Sequence, residues 1–158
     1  MVLAGKLITE LGIKTPADKF YKLFASELHE VQNLSERIHE GKLHEGEDWH
    51  HSDTVKHWTI VIDGEVHTCN ESIEEVDDEN KKITFKLFGG DIDNFTVFKV
   101  ILEVINKADG TAAAAVRWTV DYVKNNEEVD TPNGWTDYLS KTTRDIDGHL
   151  LKGERVAL

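Results

Sequence analysis

The residues best suited to chemistry share one face of a single predicted strand. From Val66 to Glu75 every second residue belongs to a wholly polar face, formed by Thr68, Asn70, Ser72 and Glu74. The alternate residues form a second face, which carries His67, Cys69, Glu71 and Ile73. Because a half-buried strand turns its less polar face to the core, we expect the second face to point inward.

Glu71 is the strongest candidate on this face. An unpaired carboxylate in an apolar chamber loses its hydration, and its pKa rises by up to about 3–5 units. Such a group could act as a general base near neutral pH, or as the counter-ion of a protonated ligand amine. A carboxylate that is simply hydrogen-bonded near a cavity mouth is the alternative interpretation.

Three further residues could move a proton to or from a ligand. His67 lies four positions from Glu71, about 13 Å along an extended strand, which is too far for direct pairing. Tyr122 on the last predicted strand and His149 on the last predicted helix could each place a proton on a ligand oxygen. The catalytic candidates are therefore Glu71, His67, His149 and Tyr122, although each of the last three could equally be an ordinary core or rim residue.

The sequence favours neither a metal nor a cofactor. The remaining histidines, His39, His44, His50, His51 and His57, lack the spacing of zinc sites. Cys69 is the only cysteine, which excludes an intramolecular disulfide and suggests an inert, inward-facing side chain. No glycine-rich loop joins a strand to a helix in the manner of a phosphate site, so nucleotide-dependent chemistry is not expected.

The elements that position these residues can be read from the hydrophobic pattern. Leu3 to Ile13 reads as a half-buried strand, and Thr15-Pro16 opens two short helices near Pro16–Ser26 and Glu27–Asn33. From Ser35 to Lys124 the period is two, which predicts six more strands in an antiparallel meander. The strands are separated by turn signals at Gly46-Glu47-Asp48, Asp63-Gly64, Asp77–Asn80, Gly89-Gly90 and Asp109-Gly110.

A long C-terminal helix should pack against the inner face of this sheet. Thr131-Pro132 opens it, and intervals of three and four give an apolar stripe of Trp135, Tyr138, Leu139, Thr142, Ile146, His149 and Leu150. Lys141, Arg144, Asp145 and Asp147 fall on the solvent side. The fold class is therefore α+β, with a curved seven-stranded antiparallel sheet around a long C-terminal helix and two short helices after the first strand.

A bent sheet closed by one helix often cannot fill its own interior, so we expect a cavity for a small apolar molecule. The expected ligand-binding residues are Trp58, Ile60, Cys69, Phe85, Leu87, Phe98, Val100, Leu102, Trp118, Trp135, Tyr138, Leu139, Thr142 and Ile146. The alternative is that the same aromatic side chains pack as an ordinary core.

Length and charge narrow the classes of partner. The 158 residues and 39% hydrophobic content fit one domain over residues 1–158. A formal net charge of −12, without a basic stripe, argues against binding to nucleic acid or to anionic membranes.

No apolar run approaches the roughly 18 residues of a membrane span, and no secretion signal opens the chain, so we expect a cytosolic protein. Exposed edge strands and the Trp49-His50-His51 segment leave room for a homodimer, without positive evidence for one.

Several short stretches, in order and at matching spacing, resemble the major latex proteins, a plant family within the birch pollen allergen (START-like) superfamily. They are Gly5-Lys6-Leu7, Pro16 to Phe24, Leu43-His44-Glu45-Gly46, Asp63-Gly64-Glu65, Ile83-Thr84-Phe85, Gly89-Gly90-Asp91, Trp118 to Tyr122 and His149-Leu150-Leu151. The resemblance covers nearly the whole chain and implies the helix-grip fold, with a hydrophobic cavity for sterols, hormones, phenolics or alkaloids. One departure is segment 47–53, where the family usually has a glycine-rich loop.

The resemblance supports two functions. The first is a non-catalytic carrier or storage protein in plant defence. The second is an isomerase like one found in alkaloid-producing latex, which moves a β,γ carbon–carbon double bond into conjugation with a ketone, as from neopinone to codeinone. We favour the isomerase as the specific hypothesis, because an inward glutamate with an inward histidine or tyrosine supplies a base and a proton donor. The expected partner is then a small hydrophobic molecule, an alkaloid in the specific case.

Overall fold

One antiparallel sheet dominates the computed structural model, which describes residues 3–46, 48–50, 54–107 and 112–157. Within these residues the strands are β1 (Ala4–Ile13), β2 (Ile38–Glu45), β3 (Val55–Ile62), β4 (Glu65–Asp77), β5 (Lys82–Phe88), β6 (Phe95–Asn106) and β7 (Ala114–Lys124). Their order in the sheet is β1-β7-β6-β5-β4-β3-β2. The predicted turn at Asp109-Gly110 and most of segment 47–53 lie outside the described residues.

Two helices and two short 3₁₀ helices complete the fold. Helix α1 (Ala17–Ser26) and the 3₁₀ helix Leu28–Asn33 connect β1 to β2, and a 3₁₀ turn at Gly90–Ile92 connects β5 to β6. The long helix α2 (Gly134–Ala157) closes the concave side of the sheet. This arrangement confirms the predicted helix-grip fold. None of the helices in the described part of the chain is long and apolar enough to span a membrane.

Alternating burial shows which strand face forms the core. In β3 every second residue is buried, beginning at Lys56 and continuing through Trp58, Ile60 and Ile62. The turn between β3 and β4 has positive φ angles at both central residues, Asp63 (53°) and Gly64 (79°), as a tight two-residue hairpin requires. The burial pattern therefore identifies the inner face, and the tight turn fixes the pairing of β3 with β4.

Two aspartates of α2 accept hydrogen bonds that fix the helix to segments next to β1 and β2. Asp147 accepts from the backbone N–H of Thr15 at 2.9 Å and from the Thr15 hydroxyl at 2.5 Å. Asp145 accepts from the Ser35 hydroxyl at 2.7 Å and from the Arg37 guanidinium at 2.6 Å. The sequence predicts both aspartates on the solvent side of α2, and the structure corrects this: both are half-buried and bind neighbouring segments.

Candidate ligand-binding cavity

A mainly apolar cavity of about 80 Å³ lies between the concave face of the sheet, α2 and the segment from α1 to β2. Its lining residues are Phe24, Leu28, Val31, Ile38, Trp58, Ile60, Glu71, Phe85, Leu87, Val100, Trp118, Trp135, Tyr138, Leu139 and Thr142. Glu71 is the only ionisable carboxyl group in this lining. The structure therefore places the strongest candidate of the sequence at the wall of an internal space.

The cavity is much smaller than a binding site for a drug-sized molecule, which typically has about 300–1,000 Å³. An engineered protein cavity of about 150 Å³ admits benzene, so the present space has room only for a few water molecules or a very small guest. Aromatic rings occupy much of the remaining interior: Phe98 and Trp135 lie 5.1 Å apart between ring centroids, and Trp135 and Tyr138 lie 5.6 Å apart. A larger guest requires these side chains to move.

Glu71 points from β4 into this interior and is only 9% exposed. Burial raises the pKa of its carboxyl group to about 7, against the opposing effects of the Lys56 ammonium and of the Trp58 indole N–H. The indole N–H lies near the carboxylate but makes no hydrogen bond of ordinary geometry with any described group. Glu71 is therefore partly protonated at neutral pH and can both donate and accept a proton.

Lys56 is a functional candidate that the sequence pattern did not predict. It is opposite Glu71 in the pairing of β3 with β4, and its side chain is fully buried. Its Nζ lies 3.9 Å from Glu71 Oε1. Burial lowers the pKa of the Lys56 amine, and the Glu71 carboxylate opposes that change. The sequence did contain a signal for its burial: the inward-facing residues of β3 alternate, and counting back by two from Ile60 and Trp58 leads to position 56.

Several buried polar atoms near the cavity have no hydrogen-bond partner among the described residues. They are Lys56 Nζ, Trp58 Nε1, Glu71 Oε1 and Thr142 Oγ1, and a fifth such atom is His50 Nδ1. A buried polar group without a partner destabilises a protein by about 1–3 kcal/mol. Water or the polar group of a bound molecule can relieve this penalty. The cavity walls are thus mainly apolar, and the few polar groups at the cavity lack hydrogen-bond partners among the described residues.

The structure does not bring the other catalytic candidates to Glu71. His149 is exposed and lines a surface groove with Arg37, Arg144 and Lys152, which corrects the prediction that it faces the interior. His67 is half-buried near the β3–β4 turn, and its Nε2 lies 3.9 Å from Glu65 Oε2. Neither histidine lines the cavity.

Tyr122 is buried at a different part of the sheet. Its ring packs on the backbone of Gly5, where any side chain would clash, and on Phe95 at 5.9 Å between ring centroids. It does not line the cavity. Of the four catalytic candidates, only Glu71 does so.

Most of the expected ligand-binding residues reach the cavity wall. Those that line it are Trp58, Ile60, Phe85, Leu87, Val100, Trp118, Trp135, Tyr138, Leu139 and Thr142. The others, Cys69, Phe98, Leu102 and Ile146, are buried in the surrounding core without lining the space. Four further residues line the cavity without having been predicted from the sequence: Phe24, Leu28, Val31 and Ile38. Of these, only Phe24 had a signal in the sequence, its spacing of four from Phe20.

Two of the buried groups are held in their neutral forms. Burial is the main reason that the pKa of the Cys69 thiol is raised, so this cysteine is an unreactive core residue. Burial likewise raises the pKa of Tyr138, whose hydroxyl therefore stays protonated and can donate a hydrogen bond. The described residues contain no group of three or more metal-ligating side chains that could hold a metal ion.

Tyr138 contacts both the cavity and a groove on the protein surface. Besides lining the internal space, it lines an outer groove of about 400 Å³. The other residues of the groove are Glu36, Arg37, His39, Val61, Asp63, Gly64, Asp137 and Lys141. Tyr138 is the one residue that the linings of the two spaces share.

Comparisons with known proteins agree with this architecture. Residues 2–153 match the model of the pathogenesis-related protein Bet v 1 family. MLP-like protein 31 of Arabidopsis thaliana is 35% identical over 154 residues, which cover 96% of this chain and 89% of the relative. The crystal structure of major latex-like protein 151 from Panax ginseng superposes with a TM-score of 0.84 at 36% identity, covering 93% of this chain and 97% of the other.

A more distant structure shares the fold alone. Norcoclaurine synthase from Thalictrum flavum, solved in complex with dopamine and hydroxybenzaldehyde, superposes with a TM-score of 0.75 at 20% identity, over 94% of this chain and 87% of the synthase. The family match, the relative and the ginseng structure all extend over nearly the whole chain. The chain therefore belongs to the Bet v 1 family and, within it, to the major latex proteins.

Proposed function

We propose that this protein binds a small, mainly apolar molecule that carries one polar group, and that this group contacts Glu71. The observation that carries the proposal is a set of buried polar atoms without a hydrogen bond of ordinary geometry among the described residues, Glu71 Oε1, Trp58 Nε1 and Thr142 Oγ1, at an otherwise apolar cavity. Members of the Bet v 1 family bind hydrophobic ligands, which supports the same conclusion. The synthase of the same fold holds two small ring compounds with polar groups.

Lys56 limits the chemistry of that polar group. Its ammonium already balances part of the Glu71 charge, so a second cation beside it would meet repulsion in a poorly solvated site. A neutral hydroxyl or a carbonyl oxygen avoids this repulsion. An alkaloid would accordingly approach Glu71 with a hydroxyl or ketone oxygen and keep its protonated amine elsewhere.

The size of the guest depends on Tyr138. An alkaloid does not fit in about 80 Å³, whereas the cavity joined to the outer groove is several times larger. Because Tyr138 lies between the two spaces, we propose that its side chain moves to admit the ligand. A carrier or storage role in plant defence would need only this binding; a cytosolic location and a homodimer remain predictions.

The raised pKa of Glu71 favours isomerisation of an unsaturated alkaloid ketone as a second candidate function. A base with a pKa of about 7 can remove the proton between the double bond and the carbonyl and return it at the γ-carbon. The Tyr138 hydroxyl, a donor in the cavity lining, would stabilise the dienolate oxygen, and the Lys56 ammonium behind Glu71 would add a more distant positive charge. In this scheme Lys56 and Tyr138 take the role of stabilising the ligand oxygen that the sequence had suggested for the histidines.

Tryptophan fluorescence can test binding, because Trp58, Trp118 and Trp135 line the cavity. Benzyl alcohol and toluene form a suitable pair, since they differ by one hydroxyl. We expect saturable quenching by benzyl alcohol. The wild type should bind benzyl alcohol more tightly than toluene, and the ratio of their two dissociation constants should fall about tenfold in the Lys56→Met/Glu71→Leu double variant. No saturable change with either compound, in the wild type and in Tyr138→Ala, would contradict the proposal.

Chromatography can test the second candidate. A β,γ-unsaturated alkaloid ketone is incubated with the protein, and formation of the conjugated isomer is compared with the buffer rate. Glu71→Gln should lower turnover at least about 100-fold while ligand affinity changes little, because it removes the base and keeps the shape. Binding without turnover by the wild type would leave the carrier role and exclude this substrate class.

A further inference from the structure

We propose that Lys56 is a carbonyl-reactive lysine, whose amine condenses with a small aldehyde or ketone in the cavity to form an imine, with Glu71 as the proton donor and acceptor. This inference rests on the proposed function in one respect: a small guest must reach the cavity. It goes further because it assigns a covalent step to a residue beside the proposed binding site.

The environment of Lys56 differs from that of a surface lysine. It is fully buried, and its Nζ has no hydrogen-bond partner within the described part of the chain. Lys99, by comparison, is partly exposed on the outer face of β6 and lies 3.0 Å from Glu74 Oε2. The burial that lowers the pKa of Lys56 enlarges its neutral, nucleophilic fraction at neutral pH.

The position of Glu71 supplies access and proton transfer. Lys56 does not itself line the cavity, but Glu71 does, and the two side chains approach to 3.9 Å. A carbonyl oxygen that accepts a hydrogen bond from the protonated Glu71 would therefore bring its carbon close to the amine. His50, in the connection between β2 and β3, is a further titratable group near Lys56; burial lowers its pKa, which disfavours a positive charge there.

The step balances with the groups present. The neutral amine nitrogen attacks the carbonyl carbon while Glu71 gives its proton to the carbonyl oxygen. Glu71 then takes a proton from the nitrogen, which leaves a neutral carbinolamine. Return of that proton to the hydroxyl releases water as the carbon–nitrogen double bond forms. The imine nitrogen loses its last proton to Glu71, so the net reaction is amine plus carbonyl to imine plus water.

Reductive trapping on the unmodified protein tests this directly. Propanal is a small probe suited to a cavity of about 80 Å³, and cyanoborohydride reduces its imine in place. After a short reaction at pH 7, peptide mass mapping locates each adduct, which adds the mass of propanal less one oxygen atom. We expect Lys56 to be modified about tenfold or more faster than Lys99, which serves as the internal control because it also pairs with a glutamate.

The result that overturns the inference is modification of Lys99 and other surface lysines while Lys56 stays unmodified. A parallel titration with benzyl alcohol separates the two proposals. If benzyl alcohol binds and Lys56 stays unmodified, the covalent step is wrong and ligand binding stands. If neither occurs, both proposals are wrong.

Discussion

Lys56 and Glu71 lie opposite each other on β3 and β4, with Nζ 3.9 Å from Oε1 on the concave face of the sheet. Both atoms are buried, and neither has a hydrogen-bond partner among the residues that the structure describes. Removing two charges from water costs more free energy than a loose ion pair returns. The pair therefore adds little to stability, which favours a role in contacting a ligand.

Double substitution of the pair should be better tolerated than either single substitution. At pH 8, Lys56→Met should lower the free energy of unfolding by about 1–3 kcal/mol, because the buried Glu71 carboxyl loses its ammonium partner and must take up a proton. Lys56→Met/Glu71→Leu should return to within about 1 kcal/mol of the wild type. Urea denaturation measures both. A double variant that loses as much as the two single losses combined would contradict this view of the pair.

Stability should fall as pH rises through the titration of Glu71. The folded pKa of about 7 lies above the unfolded value of 4.5, so between them the folded state binds more protons. The resulting stabilisation is complete below about pH 4.5 and is lost as pH rises through 7. Relative to Glu71→Gln, the wild type should lose on the order of 3 kcal/mol between pH 4.5 and 8. Equal pH dependence of the two proteins would contradict the raised pKa.

The attachment of α2 to the end of β1 should depend on Asp147. Asp147→Ala leaves the backbone N–H and the buried hydroxyl of Thr15 without their acceptor and should lower the free energy of unfolding by about 1–3 kcal/mol. Asp137→Ala on the same helix is the matched control. It removes an exposed ion pair with Lys141 and should change stability by less than about 0.5 kcal/mol. Similar losses in the two variants would be inconsistent with the anchor.

Tyr138 should control the rate at which a ligand reaches the cavity. Tyr138→Ala should speed the association of 2-naphthol about tenfold or more in stopped-flow fluorescence, because it removes the wall between cavity and groove. Leu139→Ala also enlarges the cavity but leaves that wall in place, so its association rate should stay near that of the wild type. Equal acceleration in both variants would indicate that volume alone controls access.

The sequence predicts the fold well because the side of a strand on which a residue lies is decided locally. Alternation assigned Trp58, Ile60, Phe85 and Val100 to the inner face, and all four line the cavity. Lys56 follows the same alternation, but a fully buried lysine is rare, so the residue type gave no reason to place it on the inner face. Its burial depends on the pairing of β3 with β4, which composition does not reveal.

The remaining errors concern tertiary packing. His149 lies at the angular position of the α2 stripe, but the segment from Leu34 to Arg37 leaves an open groove beside it instead of covering it. Leu28 and Val31 reach the cavity because of how the 3₁₀ helix packs. The small size of the cavity depends on how far each aromatic ring fills the interior, and residue periodicity carries no information about that volume.

The central claim is that a guest occupies the cavity with its polar group at Glu71, and NMR can observe this directly. We predict that benzyl alcohol shifts the Trp58 indole N–H and the Leu87 and Leu139 methyl resonances in a saturable manner, with intermolecular nuclear Overhauser effects to those methyl groups. Shifts confined to exposed apolar residues such as Val66 and Phe88, with no effect at the cavity residues, would contradict the account.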